Sequence, residues 1–206
     1  MNPYAIPSYN TRERYYSYVE QIVETMRLAP RRVVEVGIGS GFLTRTLRSS
    51  GVEVVTADYD AILRPDVVAN VTALPFGTDC ADVSICFQVL EHLPFDRFAP
   101  SLSELARVSR EWVFFSVPDM RSALRFNVGR GLNLQQTRQH LWSGFPPRRP
   151  RPHVYDGVHY WEIGKAGTPE ARILETIAQC GLETVRHYRL YLHPYHHFFL
   201  LRKQTK

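Results

Sequence analysis

The sequence predicts an α/β chain built on a mostly parallel sheet with helices on both faces. Two observations point there. Short apolar runs of strand length alternate with amphipathic helical patterns along the 206 residues, with no internal repeat and no break between domains. Glycines at every second position, Gly37, Gly39 and Gly41, follow the first such run where a helical pattern begins, and in open α/β sheets ligands bind outside the carboxyl ends of the strands.

The elements follow in order. Asn10 and Glu13 have capping-box spacing, and Tyr15, Tyr18, Val19, Ile22 and Met26 make one apolar face, so a helix is expected over about residues 11–28, stopped by Pro30. Strands are expected at Val33–Val36, Glu53–Ala57, Asp66–Val71, Asp82–Phe87 and Trp112–Val117, with helices at Phe42–Ser50 and Arg97–Val108 between them. Pro169 and Gly181 bracket a last helix, and Thr184–Leu192 and His197–Leu201 read as a strand pair. About seven strands result. Only about eight residues, Tyr59–Asp66, join the second to the third, which leaves little room for a helix at that edge.

Composition narrows the function. A chain that is 44% hydrophobic can bury a sizeable core, and it is expected to be a single domain, 1–206. No run approaches the roughly 20 apolar residues of a membrane span, and the start of the chain lacks the apolar core of a signal peptide, so a cytoplasmic protein is expected. Cys80, Cys86 and Cys180 have neither the number nor the spacing of a disulfide framework or a zinc site. The net charge is +5, yet residues 121–155 alone carry +7: Arg121, Arg125, Arg130, Arg138, Arg148, Arg149 and Arg151, with no Lys, Asp or Glu. A charged run is usually a solvated face, but such faces mix both signs, so this one-signed stretch is expected to meet anions.

The glycine turn is more specific. A dinucleotide fingerprint needs glycine where Phe42 stands, and a phosphate-binding loop needs a Lys-Ser/Thr pair that is absent. Glu35, just before the glycines, would repel a pyrophosphate and attract a cationic group. Glu35, Gly37, Gly39 and Gly41 resemble the E-x-G-x-G-x-G motif of the class I S-adenosylmethionine-dependent methyltransferases, in particular those of type 11. The resemblance runs in register through about residue 118. Asp58 in TADYD, with Tyr59 beside it, matches the acidic residue that holds the ribose, while Asp60 reads as a turn residue. NVTALPF matches the adenine-binding D-A-x-x-L-P-F with Asn70 in the Asp position and Val71 after it. DVSICFQVLEHLPF matches the fourth-strand signature, which puts Gln88 beneath the cofactor and Glu91 and His92 near the transferred methyl.

What the resemblance implies is a three-layer α/β/α, Rossmann-like, seven-stranded sheet, mostly parallel with the last strand antiparallel. The expected cofactor is S-adenosylmethionine, leaving as S-adenosylhomocysteine. His92, oriented by Glu91, is the expected base for a hydroxyl acceptor. Two ligands, Glu91 and His92, are too few for a metal, and none is expected. Acceptor recognition is assigned to a basic insert or lid at about 119–168, through Arg121 and Arg125 and through His159, Tyr160 and Glu162 of VYDGVHYWEIG. Leu132–Trp142 is the one stretch of it that could form a short helix. H-x-W-E-I-G resembles a set of uncharacterised bacterial and archaeal methyltransferases associated with glycan and cell-envelope gene neighbourhoods. The expected acceptor is a small-molecule, glycan or lipid-linked anion. The alternatives are a nucleic acid held by the same arginines, contact with the inner face of a membrane, or a scaffold that binds the cofactor without catalysis. Against a nucleic acid, the tetrads NPPY and DPPY of base methylation are absent.

Overall fold

A computed structural model describes residues 4, 9–129, 137–145 and 149–204. Nine strands and four α-helices are formed by the described residues: α1 Arg12–Arg27, β1 Arg32–Val36, α2 Phe42–Ser49, β2 Glu53–Asp58, β3 Val67–Val68, β4 Ala81–Phe87, α3 Phe98–Val108, β5 Ser109–Pro118, β6 Ala123–Gly129, β7 Thr137–Ser143, α4 Glu170–Gln179, β8 Leu182–Leu190 and β9 His193–Lys203.

Seven strands form one sheet in the order β3-β2-β1-β4-β5-β9-β8. The first five are parallel, and β9 pairs antiparallel with both β5 and β8. Alternate residues of each strand bury opposite faces, so there are two cores. Val34 and Val36 of β1, Cys86 of β4 and Phe115 of β5 meet α3 and α4 through Leu102, Leu105, Ile173 and Ile177. Val33, Val83, Ile85 and Phe114 meet α2 through Leu43 and Leu47 on the other face. Aromatic rings bridge the antiparallel pairing, with Phe115 stacked on Phe199 at 4.9 Å between centroids.

Three expectations are corrected. α1 is capped by Thr11, whose side chain accepts from the Arg14 amide, and it buries a polar face: Ser17, Gln21, Glu24 and Thr25 are inside, while Tyr15, Val19 and Met26 are exposed. The reason is its partner. That face meets polar groups of the antiparallel strands, with Ser17 Oγ 2.6 Å from His196 Nδ1 and Glu24 paired to Arg186. The strand expected at Asp66–Val71 shrinks to two residues, because Asp66 turns its carboxylate inward to accept from the amide and hydroxyl of Thr56. In place of a crossover helix the edge has a 3-10 turn, Ala61–Leu63, with Leu63 buried. Finally, residues 137–142, which were allowed a helix, belong to a hairpin: β6 pairs antiparallel with β7, and Phe126 packs edge-on against Trp142 at 5.3 Å. Residues 132–136, Arg130 and Arg148 lie outside the described residues. No helix of the described residues is long and apolar enough to cross a membrane.

Candidate active site

The strands β1 to β5 run parallel, so their carboxyl ends share one edge, and the loops leaving β1, β2, β3 and β4, together with Val158–Tyr160 and Tyr195, wall a cavity of about 870 Å³. After β1 the chain turns sharply. The Gly37 amide donates to Ala57 O at 2.8 Å, and with φ at +89° the residue presses so close to the loop after β4 that a Cβ would lie 2.2 Å from Val89 Cγ2. Only glycine fits that conformation without strain. Asp58, at the end of β2, ties this turn to its own loop: Oδ2 accepts from the Ile38 amide and Oδ1 from the Asp60 amide, both at 2.9 Å.

β4 ends in a second unusual conformation. Gln88 has φ +54°, rare for a residue with a Cβ. Its amide donates to Ser116 O at 2.9 Å and its side-chain Nε2 to Ser116 Oγ at 3.1 Å. The chain then enters a 3-10 turn, Leu90–His92. Glu91 is fully buried in it, and among the described residues neither carboxyl oxygen has a hydrogen-bond partner. Burial pushes this carboxyl up to about 8, because an unpaired charge in a dry site costs more than the neutral acid. His92 has Nδ1 3.0 Å from Val158 O. That nitrogen must carry the hydrogen, which leaves the lone pair on Nε2. Burial lowers the His92 pKa, so the ring is neutral at pH 7.

The insert docks on this turn in register. The Tyr160 amide donates to Glu91 O at 2.8 Å, Trp161 Nε1 donates to Leu93 O at 3.1 Å, and Trp161 is buried against Phe95 and Phe98 at ring distances of 5.1 and 5.2 Å. His159 is thereby brought edge-on to His92, with ring centroids 5.1 Å apart. Its Nδ1 lies 3.1 Å from Glu162 Oε1, which also accepts from Tyr195 Oη at 2.9 Å. The Glu162 hydrogen bond raises the His159 pKa.

Gly37, Gly39, Asp58, Tyr59, Asn70, Val71, Gln88, Glu91, His92, His159 and Tyr160 therefore share one cavity. Asp60 lines it too, but its Oδ1 caps the 3-10 turn by accepting from Ile62 N. Asn70 Oδ1 already accepts from the amide and hydroxyl of Thr72. Five expected residues do not line it. Glu35 lies behind the turn, buried, accepting from Thr44 Oγ1, and burial pushes its carboxyl up to about 8; it walls only a recess of about 50 Å³. Gly41 caps α2. Glu162 stands behind His159 and Tyr195. Arg121 is bound to Asp119 and Glu170 at 2.7 and 2.6 Å, facing a separate cleft of about 1020 Å³. Arg125 lies on the hairpin and donates to Tyr191 O. Counting charges along the chain missed the acids that neutralise Arg121 from outside the stretch.

Sequence reasoning also overlooked Tyr4, Tyr9, Arg14 and Tyr195, which line the same cavity. They come from the two ends of the chain, far from any motif. The expectation of no metal rested on two ligands; the fold adds a third, since Glu91, His92 and His159 each place a ligand atom within 4.8 Å of the other two.

Residues 34–117 match the methyltransferase-domain family. No curated protein matches the chain. Among solved structures, the 1,6-didemethyltoxoflavin-N1-methyltransferase of Burkholderia thailandensis, with bound 1,6-didemethyltoxoflavin and S-adenosylhomocysteine, is similar at TM-score 0.58 and 16% identity, over 94% of this chain and 78% of that one. A methyltransferase from Clostridium acetobutylicum is similar at TM-score 0.61 and 8% identity, over 98% and 95% of the two chains. The cyclase SpnF is similar at TM-score 0.58 and 12% identity, over 94% and 81%. At such identities the likeness is one of fold. The segment that matches the methyltransferase-domain family runs from β1 to β5, and the chain as a whole shares the fold of these S-adenosylmethionine-dependent methyltransferase structures.

Proposed function

We propose that the protein transfers a methyl group from S-adenosylmethionine to a hydroxyl or amine of a small-molecule or glycan-type acceptor. The observation that carries this reading is the convergence of the glycine turn, Asp58 and the Gln88–His92 turn on one cavity. In this reading Asp58 takes the ribose hydroxyls, the Asn70–Val71 backbone faces the adenine, and Gln88 lies under the cofactor. A pocket for one drug-sized ligand starts at about 300 Å³, so about 870 Å³ has room for an acceptor beside the cofactor. Arg14 is the guanidinium on the wall, and it rather than Arg121 or Arg125 would meet an anionic group of the acceptor.

The sulfonium methyl is already electrophilic, so the protein's task is to align the acceptor and exclude water. When bound, S-adenosylmethionine would supply the methyl carbon to the acceptor oxygen, with sulfur as the leaving group that keeps the C–S electron pair. His92 Nε2, whose lone pair the Val158 contact leaves available, would take the hydroxyl proton.

Calorimetry with S-adenosylhomocysteine and turnover of labelled cofactor with candidate acceptors test the two halves separately. Asp58→Ala should weaken cofactor binding by about 1.5–3 kcal/mol, the worth of hydrogen bonds to a charged group. His92→Ala should leave binding intact and lower kcat roughly 10²–10⁴-fold. Unaltered affinity in the first variant refutes the placement of the cofactor. Normal turnover in the second removes His92 from the chemistry. Binding with no transfer to any acceptor would mark a scaffold.

A further inference from the structure

We propose that Glu170, His187 and His197 form a binding site for a divalent transition-metal ion of the zinc type, separate from the cavity described above. Glu170 opens α4, while His187 of β8 and His197 of β9 are diagonal neighbours on one face of the antiparallel pair, because His187 pairs with Phe199 and Arg189 with His197. Glu170 Oε1 lies 3.3 Å from His187 Nδ1 and 3.6 Å from His197 Nε2, and the two nitrogens are 3.2 Å apart. Zinc bonds of about 2.0–2.1 Å at tetrahedral angles put neighbouring ligand atoms about 3.3 Å from each other. The three atoms already describe one face of such a tetrahedron.

Hydrogen bonding alone does not satisfy this triangle. His197 Nδ1 is 3.0 Å from Asp119 Oδ2, and Asp119 is kept as a carboxylate by Arg121 at 2.7 Å and Arg189 at 3.5 Å. Nδ1 therefore carries the hydrogen, and the neutral ring aims its Nε2 lone pair into the triangle. Glu170 is also anionic, since Arg121 Nη1 holds its other oxygen at 2.6 Å. Only His187 has a proton to offer, and Nδ1–H can serve one of the two acceptors. The other pair, a lone pair facing a carboxylate oxygen, is left in mutual repulsion. A cation at the centre attracts all three.

The surroundings also suit an ion. Asp119 behind His197 is the carboxylate that commonly orients a metal-bound imidazole and fixes its tautomer. Arg121 and Arg189 balance Asp119 and Glu170, so the cation's charge would be met by water, hydroxide or an anion on the open side, where Glu170 and His187 remain partly exposed. Two imidazoles and a carboxylate select zinc or a similar borderline ion over magnesium or calcium. Bound there, the ion would tie the start of α4 to β8 and β9 and, through Asp119, to the end of β5.

The test is a titration of the chelator-treated protein with Zn²⁺ alone, by calorimetry and by the shift in melting temperature. His187→Ala removes a partly exposed ligand, and Glu170→Gln keeps a polar partner for Arg121. His92→Ala controls for the second histidine cluster, in the cavity. Wild type and His92→Ala should bind one ion alike and melt higher with it, while His187→Ala and Glu170→Gln should bind at least 100-fold more weakly and melt unchanged. No binding to wild type overturns the proposal. So does affinity within threefold of wild type in both His187→Ala and Glu170→Gln. The result is independent of methyl transfer, because none of the three ligands lines the cavity.

Discussion

Glu91 and His92 are adjacent, yet the fold treats them in opposite ways. His92 is given a carbonyl for one nitrogen. Glu91 is buried with no hydrogen-bond partner for its carboxyl among the described residues, and that carboxyl, at 4.5 in the unfolded chain, rises to about 8. Between those two values the folded protein carries a proton that the unfolded chain has released. Stability from this group is thus complete below about pH 4.5 and falls by about 1.4 kcal/mol per pH unit until the folded-state value is passed. Glu91→Gln keeps the shape and cannot ionise. Denaturant titrations of both proteins from about pH 5 to about pH 9 should show the variant gaining on wild type with each unit up to about pH 8 and level beyond it, and parallel curves throughout would mean that Glu91 is paired or hydrated in solution. Arg121 teaches the converse. It stands in a run without acids, but Asp119 lies two residues before the run and Glu170 forty-nine residues after Arg121, so its charge is cancelled by groups that no local count includes.

At the scale of elements, the legible parts are those whose chemistry is local. The turn from β1 to α2 is specified by three glycines within five residues, and the β4 loop by a run of adjacent side chains, so both could be placed before any fold was known. Gly37 shows how tightly they are joined. Gly37→Ala would set a methyl 2.2 Å from Val89 Cγ2 at φ +89°, a strain of about 1–3 kcal/mol from the backbone alone, before the clash is counted. The variant should unfold at lower denaturant and bind cofactor more weakly. Adding Val89→Ala should restore the part due to the clash and leave the backbone part. A Gly37→Ala protein as stable as wild type would show that the two loops can separate freely. The buried face of α1 is not legible in the sequence for a related reason: periodicity finds apolar stripes, but which stripe is buried depends on what the sheet offers, and here it offers His196 and Arg186.

For the whole molecule, alternation of strands and helices was enough to give the sheet and its layers, since strand length and helical period are properties of short windows. The composition of the cavity was not, because Arg14 and Tyr195 are brought together from opposite ends of the chain, and their neighbours in sequence carry no trace of it. The same topology governs the order of assembly. β9 lies between β5 and β8 although it follows both in the chain. During synthesis, β5 and β8 emerge from the ribosome before the strand that joins them, and neither pairs with the other. The growing sheet therefore closes in its middle and not at its rim. Until the latest-made of these strands arrives, the nascent chain carries the phenylalanine-rich edge of β5 unpaired, open to association with other chains.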